Sequence, residues 1–150
     1  MNQELRDLYQ EVILDHSRRP RNFRVLGEPA RKVEGYNPLC GDKLTVYMDV
    51  EDDVVKDVAF QGSGCAISTA SASVMTEVLR GKSRREVEEL FEAFHALVTG
   101  KQSPADNQSL GKLAVFGGVG EFPSRVKCAV LAWHTARAAL EGDEESITTE

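Results

Sequence analysis

The pattern of apolar residues changes from strand-like to helical at the glycines Gly62 and Gly64. Before them, three stretches alternate between apolar and polar residues or are rich in β-branched ones, at about residues 30–36, 43–50 and 54–61. Such stretches are typical of strands, and the polar turn between the last two predicts an antiparallel hairpin. After the glycines, apolar residues recur at helical spacing. Because the strands come before most of the helices rather than alternating with them, the sequence predicts an α+β domain.

The spacing of apolar residues predicts about five helices, one before the strands and four after them. Four of them cover about residues 3–16, 66–79, 110–116 and 124–140, and the other carries apolar residues from Val87 to Val98 and ends before Gly100. Ser83 and Glu86 fit a capping box at the start of the third helix, and the glycine-rich residues 117–120 should form a flexible break. The predicted fold is therefore a small three-stranded antiparallel sheet packed against about five helices.

The composition is ordinary for a single soluble domain, because 41% of the 150 residues are hydrophobic and 28% are charged. No apolar run approaches the roughly 20 residues that a membrane span requires, and the first residues lack the form of a secretory signal. We therefore expect a cytoplasmic protein that does not bind membranes. The net charge of −6 argues against general nucleic-acid binding.

Charge is unevenly distributed along the chain. The last ten residues hold five acidic residues and no basic ones, so residues 141–150 should be an acidic, solvated and mobile tail. Residues 1–140 would then form a single domain. A basic cluster precedes the first strand and consists of Arg18, Arg19, Arg21 and Arg24. It is either a surface that docks a partner or a solvated loop.

The chain has three cysteines, and each lies in a distinct setting. An odd number in a reducing compartment argues against a disulfide framework and leaves metal binding, catalysis or burial. Cys40 and Asp42 flank Gly41, so in an extended segment their side chains point to the same side. Cys65 follows two glycines and opens a helix, where backbone N–H groups stabilise a thiolate.

Cys128 lies near the start of the last helix, with Arg125 and Lys127 beside it. Three thiolates and the Asp42 carboxylate can make a complete four-ligand metal site, in which the harder carboxylate exchanges most easily. The two basic residues would offset the negative charge of such a site. The alternatives are a tight turn, buried structural cysteines and an ordinary solvated helix surface.

The histidines are not predicted to be ligands. His16, His95 and His134 are each expected to be structural or surface residues. The sequence contains no Ser-His-Asp arrangement, P-loop or dinucleotide-binding glycine pattern. Chemistry is therefore predicted only around the cysteines.

Together, these settings resemble the U-type proteins of iron–sulfur cluster assembly, the NifU N-terminal or IscU-like family. The likeness covers nearly the whole chain and rests on several segments found in one order. These lie at residues 8–9, 13–16 (Ile-Leu-Asp-His), 19–22 (Arg-Pro-Arg-Asn), 37–42 (Asn-Pro-Leu-Cys-Gly-Asp), 60–68, 70–73 and 125–133.

The resemblance implies a SufE/NifU-like fold and a role in receiving sulfur, as a persulfide, from a cysteine desulfurase. Many members of the family assemble a [2Fe–2S] cluster and pass it to apo iron–sulfur proteins. Carried over by motif, the metal and cofactor ligands here would be Cys40, Asp42, Cys65 and Cys128.

Two positions depart from one branch of that family. The branch has a histidine immediately before the third cysteine and two adjacent prolines in a chaperone-recognition segment, whereas this chain has Lys127 and the single Pro123. Chaperone-driven cluster release by that route is therefore not expected. In addition, 62 residues separate Cys65 from Cys128. The long gap and the lysine resemble the Suf-type, zinc-binding branch (SufU-like).

The resemblance leaves two functions open. In one, the protein is a Zn²⁺-dependent sulfurtransferase that accepts sulfur from a Suf-type cysteine desulfurase, with Cys40 or Cys128 as the acceptor. In the other, it is a scaffold that builds a transient [2Fe–2S] cluster for apoproteins or a downstream scaffold. A purely structural zinc domain is disfavoured, because the four ligands are scattered rather than paired in knuckles. Lys127 and the long gap favour the sulfur acceptor.

Overall fold

The computed structural model describes residues 3–38, 40–101, 108–142 and 147–148. Their order confirms the predicted α+β class, with one helix before the strands and the other helices after them. The helices are α1 (Gln3–Arg18), α2 (Ala66–Leu79), α3 (Arg84–Val98) and α4 (Pro123–Glu141). The strands are β1 (Arg31–Asn37), β2 (Asp42–Glu51), β3 (Val54–Ser63) and β4 (Ile147–Thr148).

The predicted three-stranded antiparallel sheet is confirmed. β2 pairs antiparallel with β1 on one side and with β3 on the other, and the β2–β3 hairpin turns at residues 52–53, where both aspartates have positive φ. The two-residue strand β4 adds to the outer edge of β1 in parallel. The predicted mobile tail falls partly on residues 143–146 and 149–150, which lie outside the described residues, so the division at residue 140 stays a prediction.

The helices lie close to their predicted positions, with three differences. α1 continues to Arg18, two residues further than predicted. The short helix predicted at residues 110–116 is instead a 3₁₀ segment, Gln108–Phe116, which is interrupted because Gly111 has non-helical backbone angles. A second 3₁₀ turn, Val119–Glu121, occupies part of the predicted glycine-rich break. The capping box of α3 forms as predicted, with Ser83 and Glu86 each bonded to the other's backbone N–H.

Close packing between β1 and α4 fixes the position of α4 on the sheet. A Cβ at Gly35 of β1 would collide with the Thr135 hydroxyl of α4, so only glycine permits this approach. α2 packs against α4 through its small residues, and the buried Ser71 hydroxyl donates to the Ala129 carbonyl at 2.5 Å. These contacts bring the first turn of α4 next to the end of β1.

A buried polar cluster joins α1 to α2. The Ser73 hydroxyl accepts the Arg21 N–H at 2.8 Å and lies 2.7 Å from His16 Nδ1. Burial, followed by the charge of Arg21, holds the pKa of His16 below its usual value. His16 is therefore neutral, and the Ser73 proton is available for Nδ1. In agreement with the sequence prediction, His16 has a structural role.

No helix in the described ranges is both long enough and apolar enough to cross a membrane.

We predict that Ser73→Ala lowers the free energy of unfolding by about 1–3 kcal/mol, because it leaves the Arg21 N–H and His16 Nδ1 without their buried partner. Urea unfolding followed by circular dichroism measures this change. Ser17→Ala is the control, since the Ser17 hydroxyl donates to the Leu14 carbonyl in an exposed hydrogen bond within α1 and its loss should change stability by about 0.5 kcal/mol or less. Equal, small effects of both substitutions would contradict the role of the cluster.

Candidate metal centre

The turn between β1 and β2 carries Cys40 and Asp42. The Cys40 N–H donates to the Asn37 carbonyl at 3.3 Å and closes the turn. Asp42 is the first residue of β2 and pairs directly with Asn37, the last residue of β1. Cys40 is half-buried, whereas Asp42 is only 2% exposed. The turn therefore holds a buried carboxylate beside a thiol that solvent can reach.

Three predicted ligands come together at this turn. One ligand atom each from Cys40, Asp42 and Cys128 lies within 4.8 Å of the others. The two sulfur atoms, one on the turn and one on α4, are 3.2 Å apart. Two soft thiols and one hard carboxylate at this spacing form a donor set that suits zinc.

Both oxygens of the Asp42 carboxylate accept hydrogen bonds. Oδ1 accepts the backbone N–H of Cys65 at 2.8 Å, and Oδ2 accepts from Asn37 Nδ2 at 3.2 Å. A Cβ at Gly64 would lie only 2.5 Å from Oδ1. Glycine at this position therefore lets the segment before α2 lie directly against the carboxylate.

Cys65 is the fourth predicted ligand and lies at the start of α2. Its sulfur accepts the Ser68 N–H at 3.4 Å and caps the helix. It is not among the three residues whose ligand atoms cluster within 4.8 Å, although its backbone is bonded to Asp42. Cys65 therefore lies beside the cluster of Cys40, Asp42 and Cys128, and its sulfur is hydrogen-bonded to the first turn of α2.

Cys128 is completely buried on α4. Burial raises the pKa of its thiol, and the side chains of Cys40, Asp42 and Cys65 around it raise the pKa further. The thiol is therefore protonated when no cation is bound. A metal that binds at this group must displace the proton from Cys128.

Arg125 is a basic residue whose pKa is affected by the thiols. The pKa of Arg125 lies above its usual value because its guanidinium interacts with the Cys128 side chain, and then because of the charges of Cys65, Cys128 and Cys40. Lys127 is half-buried on α4, and its supporting role stays a prediction.

Two of the four arginines of the predicted basic cluster form local ion pairs. Arg21 pairs with Asp15 at 2.6 Å, and Arg24 pairs with Asp57 at 2.8 Å. Arg18 and Arg19 are exposed. The hypothesis of a docking surface therefore applies to these two residues at most.

Sequence reasoning did not single out two buried polar residues at the centre, Asn37 and Ser68. Asn37 Nδ2 donates to Asp42 and also to Cys128 Sγ, at 3.5 Å. Among the described residues, Asn37 Oδ1 and Ser68 Oγ are two of the three buried side-chain oxygen and nitrogen atoms without a hydrogen-bond partner. The one available signal was that Asn37 directly precedes the Pro-Leu-Cys-Gly-Asp segment.

Known proteins that resemble this chain belong to one protein family, and the likeness covers most of the chain. The family model for the NifU-like N terminal domain matches residues 8–141. The chain is 39% identical to the iron-sulfur cluster assembly scaffold protein IscU of Streptococcus pyogenes serotype M1, over 92% of this chain and 86% of the relative. It is 38% identical to the zinc-dependent sulfurtransferase SufU of Bacillus subtilis strain 168, over 95% of this chain and 96% of the relative.

A crystal structure from Fervidobacterium islandicum AW-1 has a similar fold. It is described as a scaffold protein for iron–sulfur cluster assembly in the SUF system. The two chains superpose with a TM-score of 0.79 at 37% identity, covering 87% of this chain and 94% of the other. This likeness supports the predicted SufE/NifU-like fold.

We predict that Gly64→Ala weakens metal binding by the protein, because the added Cβ pushes the Asp42 carboxylate away from the Cys65 N–H. Zinc affinity, measured by competition with a chromophoric chelator, should fall by about tenfold or more. Gly27→Ala is the matched control, because a Cβ at Gly27 meets no atom within 4 Å. If both substitutions left zinc affinity unchanged, the close approach of Gly64 to Asp42 would not shape the centre.

Proposed function

Because the chain belongs to the NifU-like N-terminal domain family, we propose that it acts in iron–sulfur cluster assembly as a zinc-dependent acceptor of sulfur from a cysteine desulfurase. One observation carries the proposal: a buried carboxylate and two thiols from distant segments converge, and a third thiol lies beside them. The identity of 38% with a zinc-dependent sulfurtransferase over nearly the whole chain supports the zinc-dependent form.

The chain's own residues fit zinc as a ligand set. Cys40, Asp42 and Cys128 would hold the ion with little movement, because their ligand atoms already lie within 4.8 Å of one another. Cys65 would complete four-coordination by giving up the Ser68 N–H at the start of α2. When bound, zinc keeps its cysteine ligands as thiolates at neutral pH.

Sulfur acceptance is a nucleophilic exchange at the desulfurase persulfide. A thiolate of this protein attacks the outer sulfur of that persulfide, a new S–S bond forms, and the desulfurase cysteine leaves as a thiolate. The products are a persulfide on this chain and a free cysteine on the desulfurase. Cys40 suits the attack better than Cys128, because Cys40 is half-buried and Cys128 is fully buried.

Asp42 and Arg125 have separate roles in this proposal. The Asp42 carboxylate is the least thiophilic ligand and therefore the one that exchanges most readily. Its bonds to Asn37 and Cys65 hold it in place when it is not a ligand. Arg125 is exposed beside the thiols and would attract the negatively charged persulfide.

A second candidate function is supported by the similarity to the streptococcal scaffold protein, which is 39% identical to this chain. In that function, the same residues would hold a [2Fe–2S] cluster during its assembly and release it to apo iron–sulfur proteins. Thiolates are the usual ligands of such clusters, so the centre suits both candidates.

One experiment separates the two candidates. The purified protein is analysed for zinc and iron and then incubated with a Suf-type cysteine desulfurase and cysteine. We expect bound zinc, faster turnover of the desulfurase and a persulfide on this chain, with no absorbing cluster. Stable cluster formation followed by intact transfer to an apo-ferredoxin would contradict the sulfur-acceptor proposal.

We predict that Asp42→Ala leaves the sheet and helices folded but speeds the exchange of bound zinc by about tenfold or more, because a ligand is lost. Exchange is followed with an isotopically labelled zinc pool by mass spectrometry. Asp49→Ala, further along β2, is the control and should exchange zinc like the parent. Parent-like exchange in Asp42→Ala would show that Asp42 is not a ligand.

A further inference from the structure

Asn37 contacts all three residues of the ligand cluster. Its backbone carbonyl accepts the Cys40 N–H at 3.3 Å. Its side-chain nitrogen Nδ2 lies 3.2 Å from Asp42 Oδ2 and 3.5 Å from Cys128 Sγ. The side chain is fully buried. Asn37 therefore links ligands on the β1–β2 turn and on α4, which are distant in the sequence.

The Asn37 amide is oriented as a donor toward both ligands. An amide NH₂ group has two protons to donate and cannot accept a hydrogen bond. Here the group lies against a carboxylate oxygen and a sulfur atom and donates to both. One buried side chain can therefore fix the positions of two ligand atoms that come from different segments.

The rest of the Asn37 side chain argues against a purely structural role. Its oxygen, Oδ1, is buried without a partner, which is unfavourable for the folded chain. An apolar side chain of the same size would avoid that penalty but would leave Asp42 Oδ2 without this donor. The asparagine is therefore explained by its contact with the ligand residues rather than by the packing of β1.

We propose that Asn37 is a positioning residue, which holds Asp42 and Cys128 at metal-binding distance and slows release of the metal. The inference rests on the proposed function, because it assumes that the centre binds zinc. Asn37 would not bind the ion itself. It would act through the two ligands to which it donates, as the outer partners of metal ligands do in other proteins.

The test is Asn37→Leu, which keeps the approximate size of the side chain and removes both donors. Zinc affinity is measured by competition with a chromophoric chelator, and zinc release is measured by stopped flow. We expect the affinity to fall about 10–100-fold. The metal-free variant should lose stability to urea to an extent similar to Ser73→Ala, because Asp42 Oδ2 loses a buried donor. A fall in zinc affinity that Ser73→Ala does not share is not expected from a residue that only supports the fold.

Two further variants control the measurement. Ser73→Ala destabilises the protein away from the centre and should keep the parent's zinc affinity. Asn37→Ala also removes the donors and decides the question if Asn37→Leu does not fold. The absorption spectrum of the cobalt(II)-loaded variants should keep the thiolate charge-transfer bands of the parent, because the ligands themselves are unchanged.

The outcomes separate this inference from the proposed function. If the parent binds zinc tightly and the Asn37 variants bind it equally well, the inference is overturned and the proposed function stands. A loss no larger than that of Ser73→Ala overturns it as well. If the parent retains no zinc, the proposed function fails, and the role of Asn37 fails with it.

Discussion

The hydrogen bond from the Cys65 N–H to the Asp42 carboxylate, at 2.8 Å, is the contact on which the arrangement of the centre depends. It joins the turn before β2 to the start of α2, the two segments that the β2–β3 hairpin brings side by side. α2 in turn packs against α4 and so fixes Cys128. Without this bond, the start of α2, which carries Cys65, would not be tied to the turn that carries Cys40.

Some of the predicted ligands and their neighbours are also buried parts of the fold, where polar groups are destabilising unless they are paired. Asp42 and Cys128 are buried, and the pKa of Cys128 is raised by burial and by its neighbours. Asn37 Oδ1 and Ser68 Oγ, which belong to residues bonded to Asp42 and to Cys65, are buried without partners. Unsatisfied buried groups destabilise a folded chain. Such groups in residues bonded to the predicted ligands are typical of a site maintained for binding rather than for stability.

Local sequence signals predicted most of the fold and most members of the centre. The capping box of Ser83, the polar turn of the hairpin and the segment around Cys40 each depend on residues close together in the chain. Features that depend on distant pairing were not predictable in the same way. The bond between Asn37 and Cys128 joins residues 91 positions apart. The bond between the Cys65 N–H and Asp42 joins residues 23 positions apart and depends on the pairing of β2 with β3.

If the proposed function is right, three thiolates and one carboxylate of this chain bind zinc together. X-ray absorption spectroscopy of the zinc-loaded protein tests this most directly. We expect a shell of three sulfur atoms at about 2.3 Å and one oxygen atom at about 2.0 Å from the metal. In Asp42→Ala, the protein ligand that provides the oxygen would be lost while the three sulfur atoms remain. A shell with fewer than three sulfur atoms, or one that Asp42→Ala leaves identical, would contradict zinc binding by all four residues.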